Sequence, residues 1–193
     1  MISAILLAAG ESRRMGRFKQ LLPFAGKTFV ECCVDNLLAS HVGEIIVVTG
    51  HRADDVRDAL GNRPVRFAHN PDYLSGMSSS VKCGMQALSP DVRAVLVALV
   101  DQPQIGPEII NQIIAAYESN RPLIVVPDYE GRKGHPVLFD AGLKGEILAM
   151  DPVQGLRQVV HAHTDQTLRI AIASDAVLTD FDYPEDYARL GRE

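Results

Sequence analysis

The apolar residues of this chain form short continuous runs that are separated by segments with helical periodicity. Six runs of four to eight residues are rich in Val, Ile, Leu and Ala. Several of these runs are continuous rather than alternating, which is typical of strands that are buried on both faces of a sheet. The predicted strands are residues 2–7, 44–48, 65–68, 93–100, 122–126 and 167–173.

Between these runs, apolar side chains recur at the spacing of a helix. One face of residues 28–40 carries Val30, Cys33, Val34, Leu37 and Leu38. Strands that alternate with helices predict an α/β fold, a three-layer sandwich in which helices cover both faces of a mostly parallel, mixed sheet. The predicted helices are residues 28–40, 53–60, 79–88, 107–119, 141–150 and 154–160.

The chain shows no linker, repeat or low-complexity segment, so residues 1–193 are interpreted as a single domain. Residues 128–133 lie between two apolar runs and predict a hairpin-like loop, an antiparallel excursion from the parallel sheet. In open α/β sheets, ligands bind at the carboxyl ends of the strands. The residues that directly follow each run are therefore the candidates for functional side chains.

Composition excludes several classes of protein. The 19 basic and 24 acidic residues give a net charge of −5, which disfavours generic binding to nucleic acid or to an anionic membrane. The longest apolar run, residues 94–100, is far shorter than the ~20 residues of a spanning helix. The N-terminal apolar stretch lacks the basic residues of a signal peptide. Three cysteines match neither a disulfide framework nor a metal site, so we expect a cytoplasmic protein.

The segment after the first predicted strand concentrates positive charge in an acidic chain. Arg13, Arg14, Arg17 and Lys19 lie within seven residues, and small residues at positions 8–10 let a ligand approach the backbone closely. Backbone N–H groups together with Arg and Lys form a cradle for a polyphosphate. The alternative is a solvated basic loop.

Two common phosphate-binding motifs do not fit the chain. The dinucleotide motif G-x-G-x-x-G is absent, because Ser12 stands where its second glycine would follow Gly10. The triplet Gly26-Lys27-Thr28 resembles the end of a Walker A loop, but Leu21 occupies the position of the required first glycine. We interpret the triplet as a turn and helix cap.

Acidic residues lie at two further strand ends. Asp101 follows an apolar strand, where a carboxylate is a frequent magnesium ligand, although a turn or cap residue is the alternative. Asp180 and Asp182 would point to the same side of an extended segment, and either could share an ion with Asp101. Residues 184–186 predict the first turn of a closing helix.

Ser80 and His135 are weaker candidates. Ser80 lies in a loop, residues 76–84, that enters a predicted helix, where a serine either caps the helix or contacts a ligand. His135 stands between a flexible loop and a short strand, and a lone histidine is more often structural. His161 and His163 have no third ligand nearby and are interpreted as surface residues.

Together these segments resemble the MobA/MocA-like nucleotidyltransferases, which share the nucleotide-diphospho-sugar transferase-like, Rossmann-like fold. The signature is Leu7-Ala8-Ala9-Gly10-x-Ser12-x-Arg14-Met15-Gly16-x-x-Lys19-x-Leu21-Leu22-Pro23. The resemblance continues, in order, through Asn70-Pro71-Asp72, residues 76–84, Asp101-Gln102-Pro103, Gly134-His135-Pro136 and residues 182–186.

The resemblance implies roles for individual residues. The implied catalytic residues are Lys19, Arg14 and Asp101, and Asp101 and Asp182 would bind Mg²⁺. His135 would lie toward the acceptor. The chain has Tyr183 where threonine is frequent in the family. The implied nucleotide-binding residues are Ala8, Ala9, Gly10, Arg13, Arg14, Lys19, Ser80 and Asp101.

The resemblance also implies a reaction. Guanylyltransferase members tend to carry Leu-Ala-Gly-Gly in the loop, whereas this chain has Ala8-Ala9-Gly10, which favours CTP over GTP. The expected activity is magnesium-dependent transfer of CMP from CTP to the phosphate of molybdopterin, with a recipient molybdoenzyme as a further partner. The alternatives are guanylyl transfer to the same cofactor, transfer to another phosphorylated small molecule such as a sugar phosphate, and a non-catalytic protein that holds the cofactor.

Overall fold

Ten strands and seven α-helices lie in residues 1–189, the part of the chain that the computed structural model describes. The strands are β1 (Ile2–Leu7), β2 (Pro23–Phe24), β3 (Lys27–Thr28), β4 (Glu44–Thr49), β5 (Arg66–His69), β6 (Ala94–Leu99), β7 (Ile124–Tyr129), β8 (Arg132–Lys133), β9 (Val137–Asp140) and β10 (Thr167–Ala171). The helices are α1 (Phe29–Leu38), α2 (Ala53–Leu60), α3 (Met77–Gln86), α4 (Pro107–Asn120), α5 (Lys144–Ala149), α6 (Leu156–Ala162) and α7 (Pro184–Arg189).

One mixed sheet runs through the centre in the order β10-β7-β9-β6-β1-β4-β5, and β8 pairs with β7. All pairs are parallel except those made by β8 and β9, which run antiparallel to their neighbours. Helices pack on both faces, so the prediction of an α/β sandwich with a mostly parallel, mixed sheet is confirmed.

The two faces of the sheet bury separate apolar clusters because successive side chains of a strand point in opposite directions. In β1, Ala4 and Leu6 pack with residues of α1, α2 and α4, whereas Ile5 and Leu7 pack with residues of α3, α5 and α6. Both faces of β1 are buried. This explains why the strand is a continuous apolar run in the sequence.

The predicted excursion after β7 is a tight hairpin. Asp128 pairs with Lys133 and Tyr129 pairs with Arg132, while Glu130 and Gly131 make the turn with φ of +50° and +82°. The hairpin lets β9 return antiparallel between β7 and β6.

The triplet at residues 26–28 forms a turn and cap as predicted, and it also contributes to a small hairpin that we did not predict. Strands β2 and β3 pair across Ala25 and Gly26, which have φ of +49° and +81°. Thr28 then caps α1: its side chain accepts a hydrogen bond from the Glu31 N–H, and its own N–H donates to the Glu31 carboxylate at 2.9 Å.

The expectation of an extended strand around Asp180 and Asp182 is wrong, because this segment is irregular and pairs with no strand of the described chain. The segment is held by other contacts than a strand ladder: the Phe181 side chain is buried in an aromatic cluster with Phe24 and Phe29, and the Phe181 N–H donates to the Asp101 carbonyl at 3.1 Å. The closing helix predicted at Pro184 is present as α7. No helix in residues 1–189 is long and apolar enough to cross a membrane.

Gly84 brings α3 close to the sheet, and replacing it with alanine is expected to destabilise the fold. An added Cβ would lie 2.5 Å from Ile5 Cγ2 and 3.1 Å from Val48 Cγ2. Overpacking of this kind typically costs about 1–3 kcal/mol, which urea unfolding would measure. Gly145→Ala is the matched control, because an added Cβ in α5 meets no atom within 4 Å beyond its chain neighbours and the nearby backbone of its own helix. That control should gain about 0.5–1 kcal/mol, and equal shifts in both variants would contradict the packing argument.

Candidate active site

The loop after β1 starts where β1 and β4 end side by side. The Ala8 N–H donates to the Val48 carbonyl at 2.9 Å, and the Ala9 carbonyl accepts from the His51 N–H at 3.0 Å. Gly50 makes this approach possible, since a Cβ there would lie 2.9 Å from the Ala9 carbonyl oxygen. Sequence analysis missed Gly50 and His51, although both directly follow β4 and the rule of strand ends could have found them.

Aromatic rings border this loop. The ring of His51 contacts those of Phe18 and Tyr73, with centroids 5.7 Å and 6.0 Å away, and the Arg52 guanidinium lies 4.6 Å from the Phe18 centroid. Flat aromatic rings therefore line one side of the loop, and a base or a ribose can pack against such rings.

A buried amide holds the loop from inside. Gln20 is completely buried, and its Nε2 donates to the carbonyl oxygens of Ala8 at 3.1 Å and Gly10 at 2.7 Å. Its Oε1 accepts from the Ser12 hydroxyl at 3.0 Å, and that hydroxyl accepts from the Lys19 N–H at 3.2 Å. Within residues 1–189, the N–H groups of residues 9–13 donate to no protein acceptor.

Two of the four predicted cations, Arg14 and Lys19, form ion pairs with Asp182. Arg14 forms an ion pair with Asp182 at 2.6 Å, and its guanidinium lies 5.4 Å from the centroid of the Tyr183 ring. The hydrogen bond to Tyr183 and the charge of Asp182 raise the pKa of Arg14. Arg13 is exposed and pairs only with Glu11 among the described residues, and Arg17 is exposed as well.

Lys19 bridges the two acids that the sequence placed far apart. Its Nζ lies 2.6 Å from Asp101 Oδ2 and 2.9 Å from Asp182 Oδ1, and the three side chains are only 14%, 15% and 19% exposed. Burial alone would lower the pKa of Lys19, but the attraction of Asp101 and then Asp182 outweighs it, so the pKa is raised. The ammonium group is therefore charged and lies between two carboxylates.

Asp101 is held in place through its carboxylate and through its backbone carbonyl. It follows β6 by two positions, and its carbonyl accepts from the Phe181 N–H at 3.1 Å, which fixes the irregular segment beside it. Its second carboxylate oxygen, Oδ1, is buried and has no partner among the described residues. Burial, and then the charges of Asp182 and Asp101, raise the pKa of Asp180. The carboxylate of Asp180 therefore interacts electrostatically with the same acids, but Asp182 makes the contact with Lys19.

Ser80 lies in the first turn of α3 and is buried. Its hydroxyl accepts from Asn70 Nδ2 at 3.0 Å, and the same amide donates to the Ser79 hydroxyl at 2.9 Å. Asn70 follows β5 directly and also accepts from the Asp72 N–H, so it fixes the entry to α3. The helix therefore presents its N-terminal turn at the same edge of the sheet as the loop after β1.

His135 lies near Asp101, and its backbone is held by the segment around Val177. Its N–H donates to the Val177 carbonyl at 2.9 Å, and Gly134 packs so tightly there that a Cβ would lie 2.3 Å from the same oxygen. Burial lowers the pKa of His135, and the charge of Asp101 opposes this effect. Its Nδ1 is buried without a partner in residues 1–189. His135 thus offers a neutral ring near Asp101.

The remaining candidates lie outside the site. His161 is exposed, and His163 pairs with Glu146 at 2.7 Å. Cys32 and Cys33 are buried free thiols in α1, as expected.

The donor set at Asp101 and Asp182 suits a hard divalent cation that is shared with a ligand. Among residues 1–189, no group of three or more His, Cys, Asp or Glu side chains could hold a metal ion. Two carboxylates, one with an unpartnered oxygen, match the way Mg²⁺ is bound through one or two carboxylates together with substrate phosphates and water. The residues present therefore fit such an ion in the company of a polyphosphate.

Known proteins are similar to this chain over most of its length. The chain is 34% identical over 154 residues to Nicotine blue oxidoreductase of Paenarthrobacter nicotinovorans, covering 76% of this chain and 74% of that protein. It is 27% identical over 187 residues to Molybdenum cofactor cytidylyltransferase of Escherichia coli K12, covering 96% and 93%.

A crystal structure of Rv0371c from Mycobacterium tuberculosis H37Rv matches with a TM-score of 0.89 at 28% identity, covering 100% of this chain and 97% of that one. The same protein in complex with manganese gives a TM-score of 0.83 at 26% identity, covering 98% and 97%. Residues 4–167 match the family of the MobA-like NTP transferase domain. The chain therefore belongs to the MobA-like NTP transferase family and is a nucleotidyltransferase.

Proposed function

We propose that this nucleotidyltransferase transfers CMP from CTP to the terminal phosphate of a molybdopterin-type cofactor and releases pyrophosphate. The observation that carries the proposal is the contact of Lys19 with Asp101 and Asp182 beside the loop after β1. Support for the acceptor comes from the similarity to a molybdenum cofactor cytidylyltransferase over 96% of this chain. Support for CTP comes from Ala8-Ala9-Gly10, which differs from the Leu-Ala-Gly-Gly that guanylyltransferase members of the family tend to carry.

The loop would hold the triphosphate through its backbone and two cations. The N–H groups of residues 9–13 are available as donors, and clustered backbone N–H groups bind anions. Arg14 adds a planar guanidinium, which matches the geometry of phosphate oxygens. Lys19 adds a point charge that can follow the developing negative charge on the leaving pyrophosphate. Arg13, which is exposed, would contribute at the rim of the site.

Asp101 and Asp182 would hold a divalent cation, which we propose to be Mg²⁺. The manganese complex of the structurally similar Rv0371c supports a divalent cation in this family. When bound, the ion supplies Lewis-acid neutralisation of phosphate charge. The carboxylates of Asp101 and Asp182 would hold the ion, and the unpartnered Asp101 Oδ1 offers one ligand beside the ammonium group of Lys19.

The proposed reaction needs no general base. The second pKa of a phosphate monoester is about 6, so the acceptor phosphate is already largely a dianion near pH 7. An oxygen of that phosphate attacks the α-phosphorus of CTP, the bond between the α-phosphorus and the bridging oxygen breaks, and pyrophosphate leaves. The residues of the site then act by positioning and by stabilising charge. His135, neutral because of its burial, would hydrogen-bond the acceptor without adding charge.

A panel of nucleotides tests the proposal. We expect pyrophosphate release with CTP, molybdopterin and Mg²⁺ to exceed that with GTP or ATP by about tenfold or more in kcat/KM, since misfit of a base commonly costs 1–3 kcal/mol. Preference for GTP would assign the protein to guanylyl transfer. Absence of turnover with every nucleotide would refute the proposed reaction, and a panel of sugar phosphates would identify a different acceptor.

The similarity to a protein named nicotine blue oxidoreductase supports a second candidate, an oxidoreduction of nicotine blue. Hydride transfer does not require a lysine between two buried carboxylates, so the site favours nucleotidyl transfer. Incubation with NADH or NADPH and a quinonoid dye separates the two candidates. We expect no oxidation of the nicotinamide above the rate without protein.

A further inference from the structure

Gln20 has an unusual position for a polar side chain. It is 0% exposed, yet it lies between Lys19 and Leu21 in the segment that leads out of the loop after β1. Both its amide nitrogen and its amide oxygen are hydrogen-bonded, and every partner belongs to that loop. Its polar atoms therefore connect the loop to its own exit and to no other part of the described fold.

The carbonyls that Gln20 holds determine where neighbouring N–H groups point. The C=O and N–H of one planar trans peptide group point in opposite directions. Since Gln20 Nε2 holds the Ala8 and Gly10 carbonyls toward the interior, the N–H groups of Ala9 and Glu11 face the opposite way. In residues 1–189 neither N–H has a protein acceptor.

A second connection runs from Gln20 to the backbone of Lys19. The Ser12 hydroxyl donates to Gln20 Oε1 and accepts from the Lys19 N–H. Ser12 has a φ of +57°, a left-handed conformation that a non-glycine residue keeps only when its surroundings hold it. The same amide thus fixes both the anion-binding backbone and the start of the segment that carries the lysine.

We propose that Gln20 is a positioning residue for nucleotidyl transfer, which directs the N–H groups of the loop toward the triphosphate. This inference rests on the proposed function, because it assumes that the loop binds a polyphosphate. Gln20 itself touches no substrate and acts through the backbone of residues 8–12.

The test compares Gln20→Met, which has similar volume but no amide, with Gln20→Glu, which keeps an acceptor for Ser12 but cannot donate to the carbonyls. The first readout is binding of inorganic tripolyphosphate with Mg²⁺, measured by calorimetry. We expect a loss of about tenfold or more in affinity for both variants, since each hydrogen bond in the loop contributes on the order of a fewfold to tenfold.

The second readout needs no substrate. Trypsin cleaves after Arg13, Arg14 and Arg17, and all three residues are exposed. Without Gln20 the loop should open more often, so cleavage there should accelerate several-fold in the absence of nucleotide. In steady-state assays the KM for the nucleotide should rise more than kcat falls.

Ser3→Ala is the matched structural control. Ser3 is also completely buried, and its hydroxyl donates to Glu44 at 2.7 Å, but it lies at the opposite end of β1. Its loss should lower the melting temperature and leave tripolyphosphate affinity and loop cleavage unchanged. Ser12→Ala keeps Gln20 and its bonds to the two carbonyls but removes the hydroxyl that donates to Gln20 Oε1, so it should show smaller changes in the direction of Gln20→Met.

The measurements separate a failure of the positioning role of Gln20 from a failure of the proposed function. Wild-type affinity and wild-type cleavage in Gln20→Met, or changes no larger than those of Ser3→Ala, would overturn the positioning role. If the wild-type enzyme fails to transfer CMP to molybdopterin while tripolyphosphate binding still depends on Gln20, the proposed function is wrong and the role of Gln20 in the loop stands.

Discussion

Replacing Asp101 by alanine is expected to lower turnover by about 10³-fold or more while the fold is retained. The side chain is one of the two carboxylates proposed to hold Mg²⁺, and Lewis-acid neutralisation is worth several kcal/mol, with each 1.36 kcal/mol equal to a factor of ten in rate. The fold should persist because Asp182 still pairs with Lys19 at 2.9 Å. Pyrophosphate release would measure the rate, and circular dichroism would report the fold.

Two comparisons sharpen this prediction. Asp101→Asn keeps the size and the hydrogen-bonding oxygen but removes the charge, so it should lose nearly as much activity. Asp91→Ala removes an exposed carboxylate before β6, at the end of the strand opposite to the site, and should leave turnover unchanged. Mn²⁺ should also bind more weakly to Asp101→Ala than to wild type. Unchanged turnover in Asp101→Ala would remove the metal role from this residue.

Much of the fold could be predicted because burial on both faces leaves a simple pattern. The limits predicted for the first strand, residues 2–7, agree with β1 because nothing polar interrupts the run. The strands β4 and β6 were predicted for the same reason, from their apolar runs in the sequence. By contrast, β2 and β3 have two residues each and carry no periodicity, so only the turn between them could be predicted.

The candidate site was predictable in part because strand ends converge at one edge of a parallel sheet. Lys19 is 82 positions from Asp101 and 163 from Asp182, and the structure brings the three together. Asp101 follows β6 and Lys19 follows the loop after β1, whereas Asp182 lies in an irregular segment and not at a strand end. Sequence reasoning assigned Lys19 to phosphate and the acids to metal as separate groups. The direct contact between them depends on how the loop closes over the sheet, which no local pattern encodes.

Gln20 shows where sequence reasoning stops. A glutamine beside a lysine would ordinarily be exposed, because burying an amide without partners is costly. Here the loop supplies carbonyls from Ala8 and Gly10 to the buried amide. That compensation exists only after the loop has folded, so the burial of Gln20 could not be predicted from the periodicity of the chain.

The acidic net charge of the protein is compatible with an anion site, because acids and cations are paired within this site. Arg14 and Lys19 both contact Asp182, so the cations of the loop are balanced by acids before any ligand binds. A triphosphate with its divalent cation carries both signs of charge, and it can replace these contacts pair by pair. The protein can therefore bind a strongly anionic nucleotide without a positive net charge.

Replacing Lys19 by methionine is expected to change turnover and metal binding in opposite directions. Turnover should fall by about 10²–10³-fold, the usual loss when one donor to a developing negative charge is removed. Binding of Mn²⁺ alone should become tighter, because the ammonium group no longer competes for the oxygens of Asp101 and Asp182, which it contacts at 2.6 Å and 2.9 Å. Pyrophosphate release and manganese titration followed by electron paramagnetic resonance would measure the two effects.

The control for Lys19→Met is Lys27→Met, which also removes a lysine that pairs with a carboxylate. Lys27 Nζ lies 2.6 Å from Asp35, but it is half-exposed and lies in β3, outside the cluster of Lys19, Asp101 and Asp182. Its replacement should alter neither turnover nor manganese affinity. Weaker manganese binding in Lys19→Met would show that the lysine organises the acids for the metal, which would contradict competition for their oxygens. Lower turnover together with tighter manganese binding would mean that Lys19 contributes to the reaction and competes with the metal for the oxygens of Asp101 and Asp182.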